Sequence, residues 1–119
     1  MKSITTHVLD TALGKPGEGI ETILEILEKE GPIHQEEWKE ITKGTTNNDG
    51  RIPGFVPDDF KVQPGVYRIT FDTKAYFETQ DRESFYPYAS IVFEIKNPDS
   101  HYHVPLLISG YGFSTYRGS

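Results

Sequence analysis

The 119-residue sequence contains no cysteine, which excludes disulfide bonds and thiolate chemistry. It has no apolar run long enough to span a membrane, its first ten residues lack the apolar segment of a secretory signal, and its ending differs from the SKL peroxisomal signal. Lysine and arginine do not cluster, and 18 acidic residues outnumber 12 basic ones for a net charge of −6. We therefore expect a cytoplasmic protein that binds neither nucleic acid nor a membrane.

Aromatic residues and turn formers are plentiful, and their arrangement favours strands. Seven tyrosines and seven phenylalanines accompany eleven glycines and eight prolines, as is typical of β-structure. Apolar and polar residues alternate with period two in four segments: 3–10, 66–73, 89–96 and 101–109. Further strands are predicted at 38–46 and 60–62, with a short helix within 74–83. The length fits one domain over residues 1–119, and we predict an all-β sandwich of seven or eight strands.

Residues 20–29 fit two periodicities. Apolar side chains recur at the i, i+3, i+4, i+7 spacing of a helix: Ile20, Ile23, Leu24 and Leu27. Alternating pairs within the same segment also allow a strand. Periodicity alone favours the helix.

The last nineteen residues carry the densest set of chemically useful side chains. In a strand over 101–109, His101 and His103 share the less apolar face, opposite a face of ordinary core residues. His7 occupies the corresponding face of the first strand. A surface that mixes imidazole, hydroxyl and aliphatic groups is typical of a ligand site, so we expect the chemistry on this face. Residues 110–112 then predict a tight turn into a final short strand.

A turn is also predicted where asparagine, aspartate and glycine follow one another at residues 47–50. It would place Arg51 at the tip of a loop. An arginine at such a position is commonly just solvated, so the local sequence alone does not assign it a role.

Four blocks, in this order, resemble the transthyretin-like 5-hydroxyisourate hydrolases of purine degradation: ITTHVLDTALGKPG, TTNNDGRI, GVYRITFDTKAYF and HYHVPLLISGYGFSTYRGS. The ending YRGS is specific, because the transthyretins that carry thyroid hormone share the fold but lack this ending and the histidines. The resemblance implies a transthyretin-like β-sandwich of about eight strands with one short helix, which makes 20–29 a strand. It also implies a homotetramer with sites at subunit interfaces, around a channel lined by the first strand and the final hairpin.

The same resemblance implies an activity and its residues. The reaction is hydrolysis of 5-hydroxyisourate to 2-oxo-4-hydroxy-4-carboxy-5-ureidoimidazoline in urate degradation, with no metal and no cofactor. The positions that match the family's motif are His7, Arg51, His103, Tyr116, Arg117, Gly118 and Ser119. We expect His7 and His103 to activate water and transfer protons, and Arg51 to clamp the ring. All seven positions would contact substrate, and the tail would close the pocket, with Ser119 also in a catalytic role.

Two other interpretations stay open. The His-x-His pair points both rings to one side of a strand and, with His7, offers three imidazoles that a zinc ion could use, although no carboxylate sits at a comparable position. The other alternative is a transthyretin-type sandwich that binds a small aromatic ligand and performs no chemistry. Turnover of 5-hydroxyisourate separates that binding protein from the enzyme.

Overall fold

The computed structural model describes residues 4–29 and 31–119. Ser3, expected in the first strand, lies outside the described residues, as do residues 1, 2 and 30 of the predicted domain. Eight strands are present: β1 (Ile4–Asp10), β2 (Lys15–Pro16), β3 (Glu21–Lys29), β4 (Glu37–Thr45), β5 (Gly65–Phe71), β6 (Ala89–Ile95), β7 (Tyr102–Ser109) and β8 (Gly112–Thr115). The helix α1 (Thr73–Glu78) separates β5 from β6, and a 3₁₀ turn (Ile33–Gln35) precedes β4. Within the described ranges, no helix is long and apolar enough to cross a bilayer.

The strands form two four-stranded sheets, with the orders β2-β1-β7-β8 and β4-β3-β5-β6. The pairing of β1 with β7 is parallel, whereas the other neighbours are antiparallel. Alternate residues of both sheets point inwards and form one apolar core. Its largest fully buried apolar side chains are Ile4, Val8, Ile20, Leu24, Tyr67, Ile69, Phe71, Phe77, Ile95, Leu106 and Ile108. The predicted sandwich of about eight strands with one short helix is confirmed.

The ambiguous segment at 20–29 is a strand, β3, as the resemblance implies. It pairs with β4 on one side and β5 on the other. The register against β4 shifts between Leu24 and Glu25 and again between Leu27 and Lys29. Against β5 the strand keeps an unbroken register, with Thr22 and Leu24 buried and Ile23 half-buried on the other face. Apolar side chains on both faces of β3 therefore produce the helix-like spacing.

Three smaller expectations need correction. The predicted strand at 60–62 does not form. The N–H of Phe60 donates to the carbonyl of Pro57 (3.1 Å) in a turn, and at the next residue after the segment, Gln63, the Tyr67 hydroxyl donates to the carbonyl (2.6 Å) and accepts from the N–H (3.1 Å). The expected loop after β1 contains the two-residue strand β2. Finally, β5 ends at Phe71 instead of residue 73, because the Asp72 carboxylate caps α1 by accepting from the N–H of Ala75 (3.4 Å).

A buried carboxylate at the end of β1 ties this strand to α1 and the loop after it. Asp10 is fully buried and accepts hydrogen bonds from the Tyr76 hydroxyl (2.8 Å) and the Arg82 guanidinium (2.8 Å), as well as from the N–H groups of Ala12 and Leu13. Burial alone would raise the pKa of Asp10, but these donors together lower it below its ordinary value. The position of β1, and of the histidine it carries, is thereby anchored from the helix side.

Candidate active site

The parallel pairing of β1 and β7 brings both candidate imidazoles to one surface. In this register Thr5 lies opposite His103, and His7 lies opposite Pro105. Ile4 and Val8 point into the core, so His7 and His103 are on the outer face of the sheet, as the alternation predicts. Because neighbouring strands are about 4.8 Å apart, the two imidazoles are diagonal neighbours.

Arg51 lies beside His7 and not at the tip of a loop, which corrects the sequence-based expectation. The two residues form an antiparallel backbone bridge, and the N–H of Val8 donates to the carbonyl of Gly50 (2.8 Å). The Asn47 side chain accepts from the N–H of Arg51 (3.1 Å), and the Asn47 N–H donates to the Arg51 carbonyl (2.8 Å). The turn therefore extends the sheet by one bridge on the side of β1 away from β7.

Gly50 is what allows this bridge. It is buried, and its φ of 76° lies in the left-handed region that favours glycine. A Cβ atom at this position would overlap the carbonyl oxygen of Val8 and come within 3.3 Å of the His7 ring. The glycine of the NDGR segment thus brings Arg51 against His7.

The chain end returns to the same surface. The N–H of Gly118 donates to the carbonyl of His103 (2.8 Å), and the two residues form a second isolated bridge. A Cβ atom on Gly118 would lie only 2.6 Å from Cδ2 of His103. Glycine here lets the tail lie directly against the imidazole.

The other three tail residues are placed differently. The Arg117 guanidinium stacks 4.4 Å from the centre of the Tyr102 ring and donates to the carbonyl of His101 (3.4 Å), so it does not lie beside His103. Tyr116, which is 59% exposed, lines a cleft of about 250 Å³ between the sheets together with Arg117. Ser119 is exposed at the chain end. Of the predicted site residues, the structure groups His7, Arg51, His103 and Gly118.

The surroundings of His103 favour its neutral form. Burial is the largest cause that lowers its pKa, followed by the positive charges of Arg51, His101 and His7. Both effects penalise an imidazolium. A neutral imidazole near pH 7 is the form that can accept a proton from water.

Thr5 is a member of this site that the sequence analysis did not single out. Its hydroxyl lies 2.9 Å from Nε2 of His101 and 2.8 Å from Nδ1 of His103. Strand alternation puts Thr5 on the same face as His7, but only the pairing of β1 with β7 shows that it meets the two histidines.

The same hydroxyl bears on the zinc alternative. The His101 and His103 ring centroids are 6.3 Å apart, and the facing nitrogens of both rings contact Thr5. In the part of the chain that the structure describes, no three His, Cys, Asp or Glu side chains are arranged to hold a metal ion. The facing nitrogens of the His-x-His pair therefore converge on the Thr5 hydroxyl.

The protein is a two-sheet sandwich that carries two imidazoles and a guanidinium on one outer face. The comparisons with known proteins show the family to which it belongs. The model of the HIUase/Transthyretin family matches residues 4–118. Mouse 5-hydroxyisourate hydrolase is 44% identical over 116 residues, which cover 98% of this chain and 94% of the mouse protein. The chain belongs to the HIUase/Transthyretin family, which confirms the resemblance.

Two similar solved structures, a hydrolase and a transthyretin, have this fold. The 5-hydroxyisourate hydrolase of Klebsiella pneumoniae superposes with a TM-score of 0.79 and 36% identity, covering 100% of this chain and 94% of that chain. Sea bream transthyretin, solved in complex with thyroxine, superposes with a TM-score of 0.87 and 28% identity, covering 98% and 95% of the two chains. The fold is shared by both, so side chains must separate an enzyme from a carrier.

Proposed function

We propose that this protein hydrolyses 5-hydroxyisourate to 2-oxo-4-hydroxy-4-carboxy-5-ureidoimidazoline in urate degradation. One observation carries the proposal: Arg51, His7 and His103 lie side by side across three adjacent backbone segments. The names of the mouse and Klebsiella relatives support it.

Opening a cyclic amide requires water to add to the ring carbonyl, after which the bond between that carbon and nitrogen breaks. The site must provide a base for the water, an acid for the leaving nitrogen and a donor for the oxyanion. His7 and His103 are proposed for the proton transfers, which contribute typically ~10²–10⁴-fold to a rate. Burial, and then the charge of Arg51, lower the pKa of His103 and so favour the neutral form, which can accept a proton.

Arg51 is proposed to bind the ring oxygens. Its guanidinium presents paired donors that match a planar, oxygen-rich ring and stays charged at all relevant pH values. Because the backbone of Arg51 is bridged to His7, a ring held by this residue would lie next to an imidazole. Gly118 would bring the tail over the ring from the His103 side, with Tyr116, Arg117 and Ser119 completing the pocket.

A coupled assay tests the activity. Urate oxidase generates the unstable substrate in the cuvette, and the decay of its absorbance is timed with and without the protein. The matched control is His7→Ala/His103→Ala, purified in the same way, which keeps the sandwich but removes both imidazoles. Decay that the wild-type protein does not accelerate would overturn the proposal and favour the alternative, a transthyretin-type protein that binds a small aromatic ligand.

We further propose that the protein works as a homotetramer with its sites at subunit interfaces. In a single chain Arg51 and Ser119 are exposed, whereas a hydrolytic site gains from excluding bulk water. Strands β6 and β8 are the outermost strands of their sheets, and one cleft is lined by residues of both. Val92 on β6 is 57% exposed. Two free edges on one side of the sandwich favour pairing with a second copy.

Molar mass in solution tests the assembly, and a charge on the site face tests where it forms. Leu107 is half-buried on the same outer face as the imidazoles, and Ile23 is half-buried on the outer face of the opposite sheet. Leu107→Glu should give a smaller species and lose turnover, whereas Ile23→Glu should keep both. A monomeric wild-type protein with full activity would contradict the proposal.

A further inference from the structure

The Thr5 hydroxyl joins two imidazoles into one hydrogen-bonded chain. The distances of 2.9 Å to Nε2 of His101 and 2.8 Å to Nδ1 of His103 both lie within hydrogen-bond range. A hydroxyl has one donor and two acceptor positions. It can therefore accept from one ring while donating to the other, in either direction.

The two ends of this chain differ in their surroundings. His103 is half-buried and lies against the tail, whereas His101 is exposed. His101 also lies just before β7. Further along that strand, Pro105 is opposite His7, and His7 is bridged to Arg51, so His101 is at the end of β7 away from Arg51. The chain thus runs from the proposed site towards solvent and away from the Arg51 guanidinium. It ends at His101, whose carbonyl accepts from Arg117 (3.4 Å).

We propose that Thr5 and His101 form a proton relay for His103, an inference that rests on the proposed hydrolysis. His103 would exchange a proton with water and substrate at Nε2, because Nδ1 contacts Thr5. The relay would let His103 act first as a base and then as an acid, without holding a full positive charge.

The proton balance closes over one turnover. When Nε2 of His103 takes a proton from the attacking water, the proton on Nδ1 moves to the Thr5 oxygen as the hydroxyl proton moves to Nε2 of His101. A carbon–oxygen bond forms, and His101 carries the charge. When the carbon–nitrogen bond breaks, Nε2 of His103 protonates the leaving nitrogen, and His101 returns its proton through Thr5. Water is the only co-reactant, and no electrons are transferred between molecules.

The charges around His103 give the relay a physical reason. Burial most strongly opposes a positive charge on His103, and the neighbouring Arg51 and His7 oppose it further. A proton moved to His101 lies at the exposed end of the chain, where water stabilises the imidazolium. Thr5 and His101 act through His103, so they are positioning residues in this proposal.

Substitutions that keep or remove the Thr5 hydroxyl test the relay. Thr5→Val preserves shape and should lower kcat roughly 10- to 100-fold, the range found when the hydrogen-bond partner of a metal-bound histidine is removed, with KM unchanged. Thr5→Ser keeps the hydroxyl and should recover most of kcat. The control is Thr11→Val, because the Thr11 hydroxyl bonds the carbonyl of Ile108 (3.0 Å) across the same two chain segments without touching a histidine.

A second set of variants separates a relay from a hydroxyl that merely holds the ring. His101→Ala should become dependent on the concentration of imidazole buffer, which replaces the missing acceptor, whereas Thr5→Val should not. The double variant should be no slower than the slower single variant, because both changes break one chain. Additive losses, or the absence of buffer dependence, would overturn the relay.

The outcomes also separate the relay from the proposed function. Wild-type protein that turns over substrate while Thr5→Val retains full kcat would overturn the relay alone. Wild-type protein that shows no turnover would overturn the proposed function and the relay with it. Nitrogen-15 spectra of the His103 ring in wild type and Thr5→Val verify folding and report whether the tautomer at Nδ1 depends on the hydroxyl; a spectrum that does not change would also count against the relay.

Discussion

Replacing Gly118 by alanine tests how closely the chain end must approach His103. The added methyl group would lie 2.6 Å from Cδ2 of the imidazole, well inside the ~3.5–4.0 Å of a favourable carbon contact. Gly118 does not have a positive φ, so alanine adds no backbone strain. The contact is relieved if the ring rotates or if the tail lifts and loses its hydrogen bond to the His103 carbonyl.

The two consequences differ in size. Loss of one backbone hydrogen bond costs about 1 kcal/mol of folding free energy, which lowers Tm by about 4 °C in a domain of this length. A displacement of ~1 Å at a reacting group costs about 10²-fold in rate. We therefore expect Gly118→Ala to lose most of its activity while staying folded.

The assay compares kcat/KM with Tm in Gly118→Ala and in Gly112→Ala. Gly112 lies in the same hairpin, and the nearest atom to its added methyl group is Oγ of Ser109 at 3.9 Å, an ordinary contact. Gly112→Ala should match the wild type in both measurements. Wild-type kinetics in Gly118→Ala would show that the tail need not touch the imidazole.

His7→Ala and His103→Ala should each lower kcat by at least about 100-fold while circular dichroism still shows a folded sandwich; near-normal kcat in either variant would remove that residue from the mechanism. Arg51→Ala should raise KM more than it lowers kcat. It should also move the acid limb of the pH–rate profile to higher pH, because the Arg51 charge, after burial, helps to lower the pKa of His103. An acid limb at the same pH as in the wild type would contradict that coupling. Asp10→Asn should lower the free energy of unfolding by about 1.5–3 kcal/mol. Because the folded pKa of Asp10 is depressed, its contribution is full above the ordinary value of 3.8 and is lost as pH falls through the folded pKa; urea unfolding between pH 6 and 2 measures this, and stability that does not decline in acid would count against it. Deleting residues 116–119, or appending a C-terminal tag, should abolish turnover while the sandwich stays folded. The deletion also removes the hydrogen bond from Gly118 to His103, so its Tm should fall by at least the ~4 °C expected for that bond; a fully active tagged protein would refute a role for the free terminus.

Local patterns predicted much of the fold, because a strand with one buried face imposes period two on its own sequence. The faces of His7 and His103 followed from that period alone. The segment at 60–62 was predicted wrongly because Phe60 bonds the Pro57 carbonyl in a turn and the Tyr67 hydroxyl bonds the backbone of the following Gln63. No local sequence pattern predicts that a side chain will take the place of a neighbouring strand as the hydrogen-bond partner of the backbone.

The site depends on contacts that join distant parts of the chain. Thr5 and His103 are 98 residues apart in sequence, and nothing in either segment specifies that β1 and β7 are parallel neighbours. Arg51 reaches His7 only because Gly50 accepts a positive φ against the Val8 carbonyl. The family resemblance named His7, Arg51 and His103 together but not Thr5, since a motif preserves an outcome of non-local packing without explaining it.

The similarity to both a hydrolase and a transthyretin shows that the backbone alone does not separate the two. Sea bream transthyretin superposes better than the Klebsiella hydrolase, with TM-scores of 0.87 and 0.79, although its sequence identity is lower, at 28% against 36%. Backbone agreement therefore does not follow function in this family. A histidine on the outer face becomes a useful base only where burial and neighbouring charges keep it neutral. For His103 burial is the largest cause that lowers the pKa, and Arg51 is the largest among the neighbouring charges. Hydrolysis at this site thus depends on which side chains share the outer face of one sheet, and on how each sets the proton affinity of the next.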